Sequence, residues 1–191
     1  LRKRLQTERR TAAEISAAAK EAVETGQCIL LLGGGGAGKT LTVNAYADEL
    51  ERSCNQRLVA TAYTGVAATN FRAPTLLSAF GMSIRDKCKD RLVELSEVEK
   101  EKKRGTFMKM FGFPIEEVGT VVIDELSFVD LMLLGTLSDI VSQLLDVRGV
   151  FFGGLQITLA GDFFQKPPPG GTAIYAEAVQ RAIDEALALA H

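Results

Sequence analysis

"CILLLGGGGAGKT", residues Cys28 to Thr40, sets an apolar run directly against five glycines, a lysine and a threonine. A fixed glycine costs backbone entropy, so a cluster of them between two ordered segments marks a place where side chains would be in the way. The run "CILLL" is apolar throughout, as in a strand covered on both faces. Behind the glycines, "LTVNAYADELER" (41–52) has the spacing of a helix. Strand, glycine turn and helix in that order, with Gly33 to Thr40 matching G-x-x-x-x-G-K-[ST], are the setting of a phosphate-binding loop. Backbone N–H groups of such a loop converge on the β-phosphate, where Cβ atoms would crowd the oxygens. Gly33, Gly34, Gly35, Gly36, Ala37, Gly38, Lys39 and Thr40 are therefore the expected residues for binding a nucleoside triphosphate. Lys39 would bridge the β- and γ-phosphates, and the Thr40 hydroxyl would ligate Mg²⁺.

Outward from this loop, strand-like and helix-like segments alternate. "RLVATA" (57–62), "TVVIDE" (120–125) and "LQITLAGD" (155–162) read as further strands. "TERRTAAEISAAAKEAVETG" (7–26), with Thr7 as N-cap and Gly26 as stop, reads as a helix. So do "FVDLMLLGTLSDIVSQLLDV" (128–147) and "AIYAEAVQRAIDEALALAH" (173–191). The charged stretch 85–105 reads as an inserted, solvated helix or helical hairpin. The alternation predicts an α/β fold with a mainly parallel sheet, helices on both faces, and ligand loops at the carboxyl ends of the strands.

Composition narrows the chemistry. The chain has 191 residues, 47% hydrophobic and 24% charged, the profile of a folded globular domain. A net charge of −2 gives no global signature for nucleic acid, so any such contact must be local. Cys28, Cys54 and Cys88 lack C-x-x-C spacing, and His191 is the only histidine. Disulfide frameworks, zinc sites and Ser-His-Asp triads drop out, and a reducing, intracellular setting is expected. No apolar run reaches the ~20 residues of a membrane span.

Two further stretches carry chemistry. "VVIDE" delivers Asp124 and Glu125 at the end of an apolar strand, Asp124 to hold Mg²⁺ through water and Glu125 to orient and deprotonate the attacking water. "ITLAGDFFQKPPPG" is a second such strand, and Gln165 beyond it would lie near the γ-phosphate.

The ordered set GGGGAGKT, TAYTGVAAT, TLLSAFGM, VVIDELSFVD and GDFFQKPPP resembles the first motor lobe of superfamily-one DNA helicases, most of all the petite-integration-frequency (PIF-type) family. The resemblance runs from about Leu5 to Tyr175. It implies a RecA-like P-loop NTPase lobe, ATP and Mg²⁺, and 5′-to-3′ translocation on single-stranded DNA in repair, recombination and telomere maintenance. It assigns Lys39, Glu125 and Gln165 to catalysis, Thr40 and Asp124 to metal, and Thr64 and Gly65 to DNA phosphates. Read without it, "YTGVAAT" is a loop opening a helix. It also places the protein in a nucleus or mitochondrion if eukaryotic, or a cytoplasm if bacterial.

The chain departs from the family pattern in places. Arg9 stands where an adenine-reading glutamine is usual, with Gln6 as an alternative in a shifted register. Tyr63 replaces a proline, Leu77 a histidine and Lys166 a leucine; Tyr63 offers either a base-stacking face or packing under the loop. A chain that begins at Leu1 and ends soon after "GDFFQ" is expected to be one lobe, residues 1–191, without the second motor lobe and its arginine motifs. Two other classes share the loop: a P-loop enzyme such as a kinase, and a nucleotide-binding module without turnover.

Overall fold

The computed structural model describes residues 28–34, 36–70, 72–83, 94–147, 149–162, 168 and 171–174. The expected helix over 7–26, Gly35, Cys88, Gln165, Lys166 and most of the expected helix over 173–191 lie outside these residues. The described chain runs β1 (Ile29–Leu32), α1 (Lys39–Cys54), β2 (Arg57–Ala62), α2 (Gly65–Asn70), α3 (Leu76–Ala79), α4 (Glu97–Phe111), β3 (Val118–Asp124), α5 (Leu131–Leu144) and β4 (Gln156–Gly161). Short 3₁₀ turns at Ile115–Glu117, Leu126–Phe128 and Phe151–Gly154 complete it.

The four strands form one parallel sheet in the order β1-β4-β3-β2. Every strand therefore ends at the same edge. Leu32 lies opposite Gly161, Ile123 opposite Leu159, and Ala62 opposite Asp124. The pairing of β2 with β3 slips where Arg57 faces Val118 and Leu58 faces Thr120, so Gly119 forms a bulge.

Alternation along the strands sends side chains into two cores. Val121 and Ile123 join Val59, Ile157 and residues of α3, α4 and α5 on one face. Val122, Leu31 and Ala160 meet Val43 of α1 on the other. The expected three-layer α/β architecture is thus present, with helices on both faces. Beneath α1 a buried polar chain crosses the sheet: the Tyr46 hydroxyl lies 3.2 Å from Thr120 Oγ1, which bonds Gln156 Oε1 at 2.9 Å.

The charged stretch needs correcting. Residues 84–93 are not among those described; from Glu97 on the expected helix is present and largely exposed, but it is docked on the core through one side. Ser96 and Glu99 close a capping box that starts α4, and Phe107 on that helix is fully buried. Lys100 bonds Glu97 at 2.8 Å and Asp146 at 3.0 Å. Arg104 reaches the Leu144 carbonyl and Asp146 at the carboxyl end of α5. Glu97, Glu99, Glu101 and Lys102 are the outer face of this helix, while Lys100 and Arg104 tie it to the end of α5. At the far end, Ala173 departs from the expected helix by pairing antiparallel with Asp130, while Leu131 N donates to Thr172 O at 3.0 Å.

Candidate functional site

The glycine loop leaves β1 and enters α1 with the geometry its composition demands. Gly36 (φ +75°) and Gly38 (φ +84°) occupy the left-handed region, where a Cβ is strained. Gly33 N donates to Gly161 O at 3.1 Å, which fastens the start of the loop to the end of β4. The loop tightens through a turn in which Ala37 N donates to Gly34 O at 3.3 Å. Gly38 is the N-cap of α1 and offers no side chain to the helix amides, and the first turn carries no acid. That leaves the amino end of a 16-residue helix open to an anion.

Lys39 folds back over this opening. Its Nζ donates to the carbonyls of Gly33 at 2.6 Å and Gly34 at 3.0 Å, so the ammonium closes the loop on itself. An arriving phosphate would exchange these neutral acceptors for charged oxygens, a stronger pairing. A Cβ on Gly34 would lie 3.8 Å from Asp162 Oδ2, so the carboxylate beyond β4 borders the same loop. Nothing in the strand end "ITLAGD" reveals that Asp162 faces this loop.

Asp124 ends β3 on the side of the sheet that α1 covers, and only 8% of its surface is exposed. Burial pushes its carboxyl above the ordinary carboxylate range. A hydrogen bond from the Glu125 backbone N–H and the nearby Lys39 charge pull the other way. A hard cation beside this buried carboxylate would offset the same desolvation, and the Thr40 hydroxyl at the start of α1 is a second hard oxygen. That pair suits Mg²⁺, which takes few protein ligands and completes its shell with water and phosphate. Among the described residues no cluster of three or more His, Cys, Asp or Glu could hold a metal without such help.

Glu125 does not continue the strand. Its backbone turns to φ 60°, ψ 44°, left-handed for a non-glycine, at a cost of about 1–2 kcal/mol. The turn aims the side chain across to the loop after β2, where Glu125 Oε2 accepts from Thr64 N at 2.7 Å. Thr64 opens α2: its hydroxyl accepts from Ala67 N at 3.3 Å and its carbonyl from Ala68 N at 3.0 Å. "YTGVAAT" is indeed a loop opening a helix, and Val66 beside it is 81% exposed. Tyr63 is packed, not presented: its ring stacks on Phe128 at 5.8 Å between centroids with the planes 17° apart. Leu77 is half-buried against the larger core.

The structure thus brings Gly33, Gly34, Gly36 to Thr40, Asp124, Glu125, Thr64 and Gly65 to one edge of a parallel sheet, around the open end of α1. This is the RecA-like lobe of a P-loop NTPase. The family model described as "PIF1-like helicase" matches residues 4–189, and the chain belongs to that family. It is 34% identical over 155 residues to the "ATP-dependent DNA helicase Pif1" of Psychrobacter sp. (strain PRwf-1), a stretch covering 81% of this chain and 22% of that protein. It is 34% identical over 152 residues to the "ATP-dependent DNA helicase PIF1" of Emericella nidulans, covering 78% of this chain and 19% of that one. Its fold superposes on the crystal structure of Pif1 helicase from Candida albicans with a TM-score of 0.64 at 28% identity, over 91% of this chain and 38% of that one. The chain spans about a fifth of the length of these curated relatives.

Proposed function

We propose that the chain is the ATP-binding motor lobe of an ATP-dependent DNA helicase that moves along single-stranded DNA. The observation that supports it best is the meeting at one sheet edge of the Gly33–Thr40 loop, Asp124, Glu125 and the Thr64 loop, in a member of the PIF1-like helicase family. The amides of the loop and of the α1 amino end would hold the phosphates of ATP. Lys39 would leave the Gly33 and Gly34 carbonyls to neutralise charge on the β- and γ-oxygens. Thr40 and Asp124 would hold Mg²⁺, which offsets the charge of the phosphates when bound. Glu125 would orient the attacking water and take its proton. Gln165 would lie by the γ-phosphate, and Thr64 with Gly65 would hold phosphates of the strand.

A second motor lobe in the same protein would close over the nucleotide and supply the arginine that stabilises charge in the transition state. This reading places the protein wherever cellular DNA is repaired, recombined or kept at chromosome ends. The test is the ATPase of the full-length protein with and without single-stranded DNA. Stimulation by the strand, weakened by salt as counterion release requires, supports the reading. Gln165→Ala should mainly reduce that stimulation. An ATPase indifferent to the strand at low salt removes the helicase reading and favours a small-molecule phosphotransferase or a nucleotide-binding scaffold.

A further inference from the structure

We infer that the backbone N–H of Thr64 is a shared donor for which the Glu125 carboxylate and a phosphate of the bound strand compete, so that strand binding releases the water-activating base. The inference rests on the helicase reading above and adds the device that links its two ligands.

The Thr64 amide has one proton to give, and Glu125 Oε2 holds it at 2.7 Å, the short distance of a charge-assisted bond. The other main polar groups of Thr64 are engaged by its own helix, the hydroxyl with Ala67 N and the carbonyl with Ala68 N. A strand phosphate received at this loop would therefore meet an amide already taken by a negative charge. One acceptor must yield.

The backbone around Glu125 is packed against β4 and closed by its own turn, so the side chain is the part freest to move. Gly161 packs so closely that a Cβ there would stand 2.8 Å from Leu126 Cβ and 2.9 Å from Leu126 N. Phe128 N donates to Glu125 O at 2.9 Å and closes the turn on the other side. With the main chain held in this way, yielding means rotation of the Glu125 side chain away from the loop after β2. The coupling is reciprocal: whatever the strand does to the carboxylate, the carboxylate does to strand affinity.

That reciprocity gives the test, made on the full-length protein without nucleotide. Thr64 amide exchange should be slow in the wild type and at least about tenfold faster in Glu125→Ala, the range of a typical coupling. Glu125→Ala should bind an oligothymidylate about tenfold more tightly than the wild type, whereas Asp124→Asn, which removes an equal charge but no bond to Thr64, should stay within about twofold. Glu125→Gln, which keeps an acceptor but loses the charge, should fall between wild type and alanine. Equal tightening by Glu125→Ala and Asp124→Asn would reduce the effect to net charge and overturn the competition. So would a Thr64 exchange rate that ignores residue 125. Either failure in a protein whose ATPase still responds to the strand removes the device alone; a protein that binds no strand loses the helicase reading with it.

Discussion

Gly161 and Leu126 touch where any larger residue would collide: a Cβ at 161 would lie 2.8 Å from Leu126 Cβ and 2.9 Å from Leu126 N. The contact joins the end of β4, which anchors the loop through Gly33, to the turn that carries Glu125. Two strand ends of the site are thus held in register by a missing methyl.

Gly161→Ala is expected to push that turn away from the sheet. The opposing atoms are a backbone nitrogen and a Cβ, not the far end of a flexible side chain, so the strain should cost about 1–3 kcal/mol. For a domain of this size the melting temperature should fall by roughly 2–10 °C. Turnover of ATP by the full-length protein should fall through kcat more than KM, because Glu125 moves while the phosphate loop stays closed. An unchanged melt and unchanged kcat would mean that the gap opens freely.

Much of this was legible in the residues. The run Cys28–Leu32, the glycines and Lys39 specify strand, turn and helix locally, and β2 falls on "RLVATA" residue for residue. The loop's shape was legible too, because Gly36 and Gly38 take a left-handed backbone that favours glycine. What could not be read were relations between distant segments. Composition makes Lys100 and Arg104 solvent charges, yet their helix buries Phe107 in the larger core, and Asp146 and the Leu144 carbonyl at the end of α5 meet the two charges. Likewise Glu125 was legible as a strand-end acid, while its bond to an amide 61 residues away depends on a single left-handed turn.

The polar chain under α1 predicts an alkaline signature. Burial pushes the Tyr46 hydroxyl up to about 12 from an ordinary 10.0, the bond to Thr120 opposing. Its folded pKa lies above the unfolded one, so its contribution to stability is complete below pH 10 and is lost as pH rises toward 12. Tyr46→Phe should remove a late tyrosinate step from an absorbance titration and flatten the loss of stability over that window. A step that survives in Tyr46→Phe assigns the late titration to another tyrosine.

The docking of α4 predicts an acid signature. Arg104, and after it Lys100, hold the Asp146 carboxyl below the ordinary carboxylate range. A depressed folded pKa means stability present above the ordinary value and lost as pH falls through it. Asp146→Asn should loosen α4 at neutral pH and weaken the dependence of the denaturation midpoint on acid below about pH 4. A wild-type and an Asn variant with parallel acid profiles would mean that the Asp146 charge does not hold α4, leaving the Arg104 bond to the Leu144 carbonyl and the Leu95 N bond to Gln143 to do so.

The hydrolytic roles separate two variants of the nucleotide site. Lys39 has its ammonium on the Gly33 and Gly34 carbonyls and is the cation proposed to meet the phosphates. Lys39→Ala should lower affinity for Mg-ATP by roughly 10–100-fold, the worth of a charge-assisted contact, as measured by calorimetry. Glu125→Gln should behave in the opposite way. Its side chain is directed at the Thr64 amide, not at the glycine loop, so ATP affinity should stay within about twofold. Proton abstraction, however, should fail, with kcat down by about 10²–10⁴-fold in the full-length protein with single-stranded DNA present. Equal losses of binding in both variants would make Glu125 a phosphate ligand; equal turnover in wild type and Glu125→Gln would move the base elsewhere, with Asp162 beside Gly34 the next residue to change.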